Sequence, residues 1–392
     1  MSEPPIYLDH NATTPIDPRV VEAMTRAWRD CGANPASQHG PGRRARRMLE
    51  EAREGIAELL GAKTGGMDAD RVIFTSGGTE ANNLALLGYI LPDDACAVLC
   101  ISPFEHPSVR MTADILRRQQ KNVVTLQLDE AFCQEQLAMA ESNDCVCLVS
   151  YMLANNETGI VHPLEEIVQA CRSFLAFIHT DAVQAVGKIR VNFRELGVDA
   201  MTVAPHKFHG PLGIGALVLK HGVKLQPQLT GGFQQEGMRP GTENVALAVG
   251  FRESLKIAVA ELPERAERMR VLRDELEQQL MEFGRQEACP TVVIGQDSPR
   301  LPNTSCISFP GVDRQALVMA LDIAGVACST GSACASGSSE PSPTLVAMGL
   351  SKEVIAGAIR LSLGAFTGGE EIAEAARRII KAVNHLRSRK SG

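Results

Sequence analysis

From residue 71 onward the chain alternates between short apolar runs and stretches of helical length. The runs that read as strands are RVIFT, ACAVLCIS, NVVTLQL, CVCLVSYM, LAFIHTD, AMTVAP and IGALVLK. Such alternation favours a sheet of mostly parallel strands whose faces are covered by helices. We therefore predict an α/β fold built on a mostly parallel seven-stranded sheet. In such sheets, ligands bind beyond the C-terminal ends of the strands.

A second, smaller domain is predicted from the change of pattern near Pro263. The helical stretch ALAVGFRESLKIAVAEL stops there, and a long charged helix, ERAERMRVLRDELEQQLMEFG, follows. We assign residues 15–262 to the large domain, and residues 1–14 and 263–392 to a small α+β domain. The small domain contains short strands in PNTSCISFP and AIRLSLG and a Ser/Gly-rich loop at 329–343, which we expect to be mobile.

The charge balance argues against nucleic acid as a partner. The chain of 392 residues has 39 basic and 46 acidic side chains, a net charge of −7. The most basic stretch, GRRARRMLEEAREG, places Arg46 and Arg47 four residues before Glu50 and Glu51. These charges can pair along one solvated helix face, so the stretch needs no polyanion to explain it.

The chain start and the cysteines bear on location. MSEPPIYLDH lacks the basic and apolar regions of a signal peptide, and no apolar run approaches the ~20 residues that span a bilayer. The 11 cysteines are odd in number and show neither CxxC pairs nor zinc spacing. We expect free thiols in a reducing, cytoplasmic compartment, no membrane attachment and no resident metal.

An anion site is predicted in TSGGTEAN, which follows the strand RVIFT and precedes the helical stretch ANNLALLGY. Gly77 and Gly78 let the backbone approach a ligand, while Thr79 and the first helical amides supply donors. The stretch matches neither the GxxxxGK[ST] nor the GxGxxG pattern, which disfavours ATP and dinucleotides.

Polar residues follow two consecutive strands. LAFIHTDAVQ ends its apolar run with Asp181 and continues to Gln184, and AMTVAPHKF ends with His206 and Lys207. The Asp181–Lys207 pair has two interpretations: an ion pair that anchors the strand ends, or an amine of lowered pKa that forms a Schiff base with an aldehyde. The anion site in TSGGTEAN, which we call the phosphate cup, favours the second interpretation. A phosphate cup, a reactive lysine and a carboxylate together define a site for pyridoxal phosphate.

The sequence also resembles a known family. The motifs that carry the resemblance are, in order, YLDHNATTP, NPASQHGPG, TSGGTEANN, EHPSV, ANNETG, HTDAVQAVGK, PHKFHGPLGIG, RPGTEN, STGSACASG and IRLSLG. Together they look like the cysteine desulfurases of the NifS/IscS type, over about residues 6 to 370. The resemblance implies the fold type I architecture of pyridoxal-phosphate-dependent transferases, in a homodimer whose site lies near the subunit interface.

The resemblance implies roles around the cofactor ring. Lys207 would hold the aldehyde as a Schiff base, and Asp181 would bond the protonated pyridine nitrogen. Gln184 and Asn156 would contact the phenolate oxygen and the ring. His106, in EHPSV, would stack on the ring and move protons.

The resemblance also implies residues for the phosphate and the substrate. Those that would hold the phosphate are Gly78, Thr79, His206 and Thr242 of the partner subunit. Arg360 would pair with the substrate carboxylate through its planar fork, although an ion pair between domains is the alternative. Asn34 and Asn156 would also touch the substrate.

Cys334, in the loop 329–343, would be the nucleophile. It would attack the sulfur of cofactor-bound L-cysteine, leaving L-alanine and a persulfide on the enzyme. The sulfur would then pass to an acceptor protein, either an iron–sulfur scaffold or a tRNA-thiolation protein. Cys334 is also a potential transient ligand of an iron–sulfur cluster. A mobile loop suits a thiol that must visit both the site and an acceptor.

The sequence departs from the family at three places. Ala204 and Pro205 stand where the family often has Ser and Gly, which removes one hydroxyl from the phosphate site. Cys328, six residues before Cys334, is an extra thiol that is either buried or able to resolve the persulfide. The end, LRSRKSG, is shorter than the tail with which some members bind a scaffold.

Three other functions compete with the desulfurase reading. A selenocysteine lyase and an aminotransferase of the serine–pyruvate kind share the fold and the cofactor. The aminotransferase has no need for Cys334. A non-enzymatic thiol or metal carrier that uses Cys328 and Cys334 would leave Asp181, Lys207 and the cup unexplained.

Overall fold

A computed structural model describes residues 5–89, 97–126, 147–172, 176–287, 289–331 and 340–388. The strands are β1 (Ile6–Tyr7), β2 (Arg71–Thr75), β3 (Val98–Ile101), β4 (Asn122–Thr125), β5 (Cys147–Ser150), β6 (Phe177–Asp181), β7 (Ala200–Val203), β8 (Gly215–Leu219), β9 (Val292–Val293), β10 (Thr304–Ser308), β11 (Val326–Ala327) and β12 (Ala358–Ser362). The helices are α1 (Pro18–Asp30), α2 (Gly40–Leu59), α3 (Gly78–Tyr89), α4 (Pro107–Arg118), α5 (Leu164–Arg172), α6 (Phe193–Leu196), α7 (Val245–Ala260), α8 (Leu262–Gln286), α9 (Arg314–Ile323), α10 (Pro343–Ala347), α11 (Lys352–Ala356) and α12 (Gly369–Ser388).

The chain divides into two compact units. The larger comprises Pro15–Leu153 and Pro163–Ala260, and the smaller comprises Met1–Thr14, Ala154–His162 and Glu261–Gly392. This division assigns the ANNETG stretch, and with it Asn156, to the smaller unit. None of the described helices is both long and apolar enough to cross a membrane.

The larger unit is built on a seven-stranded sheet of order β2-β8-β7-β6-β5-β3-β4. The pairs from β7 through β4 are parallel, whereas β8 runs antiparallel to both β2 and β7. Every residue of β3, β5 and β7 is buried, as expected for strands covered by helices on both faces. The predicted mostly parallel seven-stranded sheet is thereby confirmed.

Local sequence explains where the helices of the larger unit begin. Asp17 caps α1 by accepting a hydrogen bond from the Arg19 amide at 2.9 Å, and Pro18 occupies the first turn. His106 caps α4 in the same way, with Pro107 following it. Each cap side chain satisfies a backbone amide of the first helical turn, so each helix starts at a defined point.

The smaller unit has its own core. Its antiparallel sheet has the order β12-β10-β9, and β1 pairs with β11 in a separate parallel pair. Leu272, Leu276 and Leu280 of α8 repeat every four residues and join this core. Ile372 and Ile379 of α12 do the same from a second helix. The apolar faces of two long helices therefore stabilise this unit independently of the larger sheet.

Candidate active site

The larger unit gathers its polar residues beyond the C-terminal ends of β6 and β7. Asp181 is the last residue of β6 and is buried. Its Oδ1 accepts a hydrogen bond from the Val183 amide at 2.9 Å, and its Oδ2 accepts one from Asn82 Nδ2 at 2.7 Å. Both carboxylate oxygens therefore have fixed directions. Lys207 ends the short 3₁₀ turn Pro205–Lys207 that follows β7.

Gly78, the first residue of α3, lies where three segments of this site meet. A Cβ at this position would lie 3.0 Å from Val183 Cγ2, in the turn after β6, and 3.7 Å from the Cβ of Ala204, after β7. A side chain on residue 78 would therefore push these turns away. The glycine therefore lets the positive end of the α3 dipole approach the turn that follows Asp181 and the segment that precedes Lys207.

His106 faces the same site through a chain of hydrogen bonds. Its Nδ1 accepts from the Ser108 amide at 3.1 Å and lies 2.8 Å from Ser108 Oγ. Asn82 Nδ2 bonds that hydroxyl at 2.8 Å and also bonds Asp181. Because Nδ1 accepts, the ring proton of the neutral imidazole lies on Nε2. Burial lowers the pKa of His106, and Lys207 lowers it further against the opposing effect of Asp181, so the neutral form dominates at neutral pH.

A second carboxyl group is buried next to Asp181. Glu105 is 3% exposed, and its Oε1 accepts a hydrogen bond from the Met152 amide at 2.7 Å. Its Oε2 has no hydrogen-bond partner among the described residues. Burial and the charge of Asp181 raise the pKa of Glu105 well above its usual range, which favours the protonated form of this carboxyl.

His206 and Gln184 are two further residues that the sequence assigned to the site, and both lie in the larger unit. Burial lowers the pKa of His206 to about 4, with further lowering by Lys207 and Lys188, so its imidazole is neutral. Gln184 is buried, and its Oε1 accepts a hydrogen bond from the Lys188 ammonium at 2.7 Å.

The smaller unit contains a separate cluster around Arg360, on β12. The guanidinium is 4% exposed and its Nη2 lies 2.7 Å from Asp9 Oδ1. Its Nη1 donates to the carbonyl of Asn156 at 2.9 Å and to that of Gly331 at 3.4 Å. Within the described ranges, its Nε has no hydrogen-bond partner although it is buried. A buried N–H of this kind is suited to an added acceptor, such as a carboxylate.

The chain is similar to known proteins over most of its length. The Aminotransferase class-V family model matches residues 6–374. The chain belongs to this family, and to its NifS/IscS type. It is 39% identical to cysteine desulfurase IscS of Dictyoglomus turgidum over 94% of this chain and 91% of that protein. It is 41% identical to the IscS-like cysteine desulfurase of Mycobacterium tuberculosis over 91% of each. The X-ray structure of a NifS-like protein from Rickettsia africae matches with a TM-score of 0.86, at 30% identity, covering 97% of this chain and 99% of that one.

Asn34 and Thr242, which the resemblance to NifS/IscS desulfurases assigned to the site, lie in a cleft of the larger unit. Asn34 and Thr242, both exposed, line a space of about 730 Å³ together with Arg53 and Glu243. Arg53 crosses this cleft wall to Glu243 at 2.7 Å and lies over the Phe74 ring. The single chain thus brings Asn34 together with Thr242.

The two thiols of the predicted nucleophile region differ. Cys334 lies outside the described residues. Cys328 packs against the core of the smaller unit, and burial, together with Asp9, raises its pKa to about 12. Cys328 is half-buried. A thiol that stays protonated at neutral pH is a weak nucleophile, which favours a structural role for Cys328 over the resolution of a persulfide.

Asn82 and Ser108 are the site residues that the sequence reasoning missed. They link Asp181 to His106 through hydrogen bonds of 2.7 to 2.8 Å. Each lies inside a quoted motif, Asn82 in TSGGTEANN and Ser108 in EHPSV. The motifs therefore contained the signal, but the pairing across α3 and α4 is visible only in the fold. Within the described ranges, no group of three or more His, Cys, Asp or Glu side chains is placed to hold a metal ion.

Proposed function

We propose that this protein is a cysteine desulfurase that depends on pyridoxal phosphate and forms a persulfide on Cys334. In the net reaction, L-cysteine and the Cys334 thiol give L-alanine and a Cys334 persulfide, so one sulfur atom moves and no oxidant is needed. The observation that carries the proposal is the meeting of three segments at Gly78. There the start of α3, the turn after Asp181 and the segment before Lys207 are in contact.

The described residues of the larger unit fit the cofactor. The α3 N-terminus suits a phosphate, the fixed Asp181 carboxylate suits a protonated pyridine nitrogen, and Lys207 would hold the aldehyde. When bound, pyridoxal phosphate supplies an electron sink for the bonds at the substrate Cα. Gly78 lets α3 start against the turn that follows Asp181, because a Cβ on this residue would lie 3.0 Å from Val183 Cγ2.

His106 is the residue best suited to move a proton. Its imidazole is neutral, its Nδ1 is occupied by Ser108, and its Nε2 is the position that can exchange a proton. The Asn82 amide holds Ser108 and Asp181 in one chain of hydrogen bonds. We infer that this chain keeps the imidazole and the carboxylate aligned on a common ligand.

Arg360 is proposed to bind the substrate carboxylate. Asp9 holds one side of the guanidinium at 2.7 Å and two backbone carbonyls hold Nη1, so the side chain cannot swing freely. The buried Nε, which has no hydrogen-bond partner in the part of the chain that the structure describes, would donate to the ligand. Carboxylate binding there selects amino-acid substrates over amines that lack the carboxyl group.

The partners and the location of the protein are proposed as well. We infer a homodimer in which Thr242 of the partner subunit contacts the phosphate, and an acceptor protein that takes the sulfur for iron–sulfur assembly or tRNA thiolation. The cytoplasmic location stays a prediction. Support for the reaction itself comes from relatives that are named cysteine desulfurase at about 40% identity over most of the chain.

The test is to incubate the protein with pyridoxal phosphate, L-cysteine and a thiol reductant, and to quantify alanine and sulfide. We expect equal amounts of both products, and their loss in Cys334→Ser. Cys328→Ser is the matched control and should keep the activity. A keto acid in place of alanine would point to transamination, and unchanged sulfide release from Cys334→Ser would show that the nucleophile is another group.

A further inference from the structure

A second buried lysine lies in the turn that follows β6. Lys188 is 4% exposed, and its Nζ donates to Gln184 Oε1 at 2.7 Å. Gln184, four residues earlier, is 5% exposed. Burying an ammonium is costly, so a lysine in this position calls for a physical explanation beyond packing.

The backbone of this turn holds Lys188 over Gln184. The Lys188 amide donates to the Ala185 carbonyl at 3.0 Å, and Gly187 has a φ of +77°. A Cβ on Gly187 would lie 2.6 Å from the Cβ of Phe208, the residue after Lys207. The reversal at Gly187 therefore both returns the Lys188 side chain to Gln184 and packs the turn against the segment that carries Lys207.

The ammonium fixes which way the Gln184 amide points. A lysine can only donate hydrogen bonds, so the amide atom 2.7 Å from its Nζ must be the oxygen. The NH₂ group of Gln184 is then on the opposite side of the amide, where it can act only as a donor. A ligand atom that meets this side must be an acceptor.

We propose that Lys188 is a positioning residue, which orients the Gln184 amide so that its N–H donors face the phenolate oxygen of pyridoxal phosphate. This inference rests on the proposed function, because it needs that cofactor in the site. The phenolate carries negative charge, so it gains from a fixed donor and would be repelled by the amide oxygen. The effect of Lys188 on the pKa of His206 supports its closeness to the phosphate side of the site.

The test uses two ligands and two variants. The ligands are pyridoxal phosphate and its analogue in which hydrogen replaces the 3-hydroxyl. Their apparent dissociation constants are measured by absorbance titration of the cofactor-free protein, for the unmodified chain, Lys188→Met, Gln184→Met and the double variant. We expect Lys188→Met to weaken pyridoxal phosphate about tenfold and to leave the analogue unchanged. In the Gln184→Met background, Lys188→Met should have no further effect.

Several outcomes would overturn the inference. Equal weakening of both ligands by Lys188→Met would mean that the lysine only supports the fold, and no weakening of either would mean that it has no role in binding. Lys220→Met is the control, because Lys220 is exposed and pairs with Asp199 at 3.0 Å. It should change neither constant.

A further variant keeps the inference testable if Lys188→Met does not fold. Gln184→Glu keeps an oxygen for Lys188 but replaces the donor side by a carboxylate oxygen. It should weaken pyridoxal phosphate more than the analogue, and equal weakening would contradict the inference. If the unmodified chain binds neither ligand, the proposed function itself fails. If it binds both and Lys188 is neutral, only the present inference fails.

Discussion

Replacing Arg360 by lysine should raise the KM for L-cysteine and leave cofactor binding intact. The guanidinium of Arg360 is held by Asp9 and by two carbonyls, and among the described residues its buried Nε has no hydrogen-bond partner. Through Nε, Arg360 would give the substrate carboxylate one charge-assisted bond in a fixed direction, whereas a lysine offers a single point charge on a flexible stem.

The size of the effect follows from the lost bond. One hydrogen bond to a charged group contributes about 1.5 to 3 kcal/mol, so kcat/KM should fall about ten- to a hundredfold. Most of the fall should lie in KM, because the carboxylate is bound equally in the ground and transition states. The assay is the initial rate of alanine formation over a range of L-cysteine concentrations, with the dissociation constant of pyridoxal phosphate measured separately.

Arg378→Lys is the matched control in the same unit. Arg378 is also buried and also bonds backbone carbonyls, those of Ala324 at 3.0 Å and Gly325 at 3.3 Å. Its replacement should reduce stability without changing KM. Two results would refute the reasoning: an unchanged KM in Arg360→Lys, or an equal rise in KM in both variants, which would indicate a general loss of packing.

Three further predictions concern other parts of the chain. Cys334→Ser should still bind pyridoxal phosphate and L-cysteine, which absorbance changes would show. It should not form a persulfide that mass spectrometry can detect, and a persulfide on another cysteine would reassign the nucleophile. Gly187→Ala should lower the free energy of unfolding by about 1 to 3 kcal/mol, because the added Cβ would meet Phe208. Gly311→Ala is the control: Gly311 also has a positive φ, but its added Cβ would have no atom within 4 Å. In the same denaturation assay, Gly311→Ala should lower the free energy of unfolding by less. Burial lowers the pKa of His179 from 6.5 to about 4, so the folded state binds fewer protons than the unfolded state between these values and stability falls as the pH drops from about 6.5 to 4. This contribution is about 3 kcal/mol at pH 4, and an equally steep acid slope for His179→Gln in urea denaturation would contradict it.

The sheet was predictable because each strand is a separate apolar run bounded by polar or turn residues. Burial on both faces removes the period-two pattern from β3, β5 and β7, and length and spacing then identify them as strands. The direction of each strand within the sheet was not predictable in the same way. The antiparallel placement of β8 between β2 and β7 depends on long-range pairing, which no local pattern encodes.

The candidate site was only partly predictable, for a similar reason. Asp181 ends β6, and Lys207 lies in the turn that follows β7. Because neighbouring parallel strands have their C-terminal ends at the same edge of the sheet, the sequence could place these two residues near each other. Asn82 and Ser108 lie on two different helices, and their contact depends on how α3 and α4 pack. Residues 154–162 belong to the smaller unit, although the segments before and after them belong to the larger one. This placement, which lets the Asn156 carbonyl accept a hydrogen bond from Arg360, also depends on tertiary packing alone.

The most direct test of the account is to identify the lysine that binds the cofactor aldehyde. The protein is incubated with pyridoxal phosphate, reduced with sodium borohydride, digested and analysed by mass spectrometry. The account predicts a phosphopyridoxyl group on the peptide that contains Lys207, and no such group on any peptide of Lys207→Ala. A label on Lys188 or another lysine in the unmodified protein, or no label at all, would contradict it.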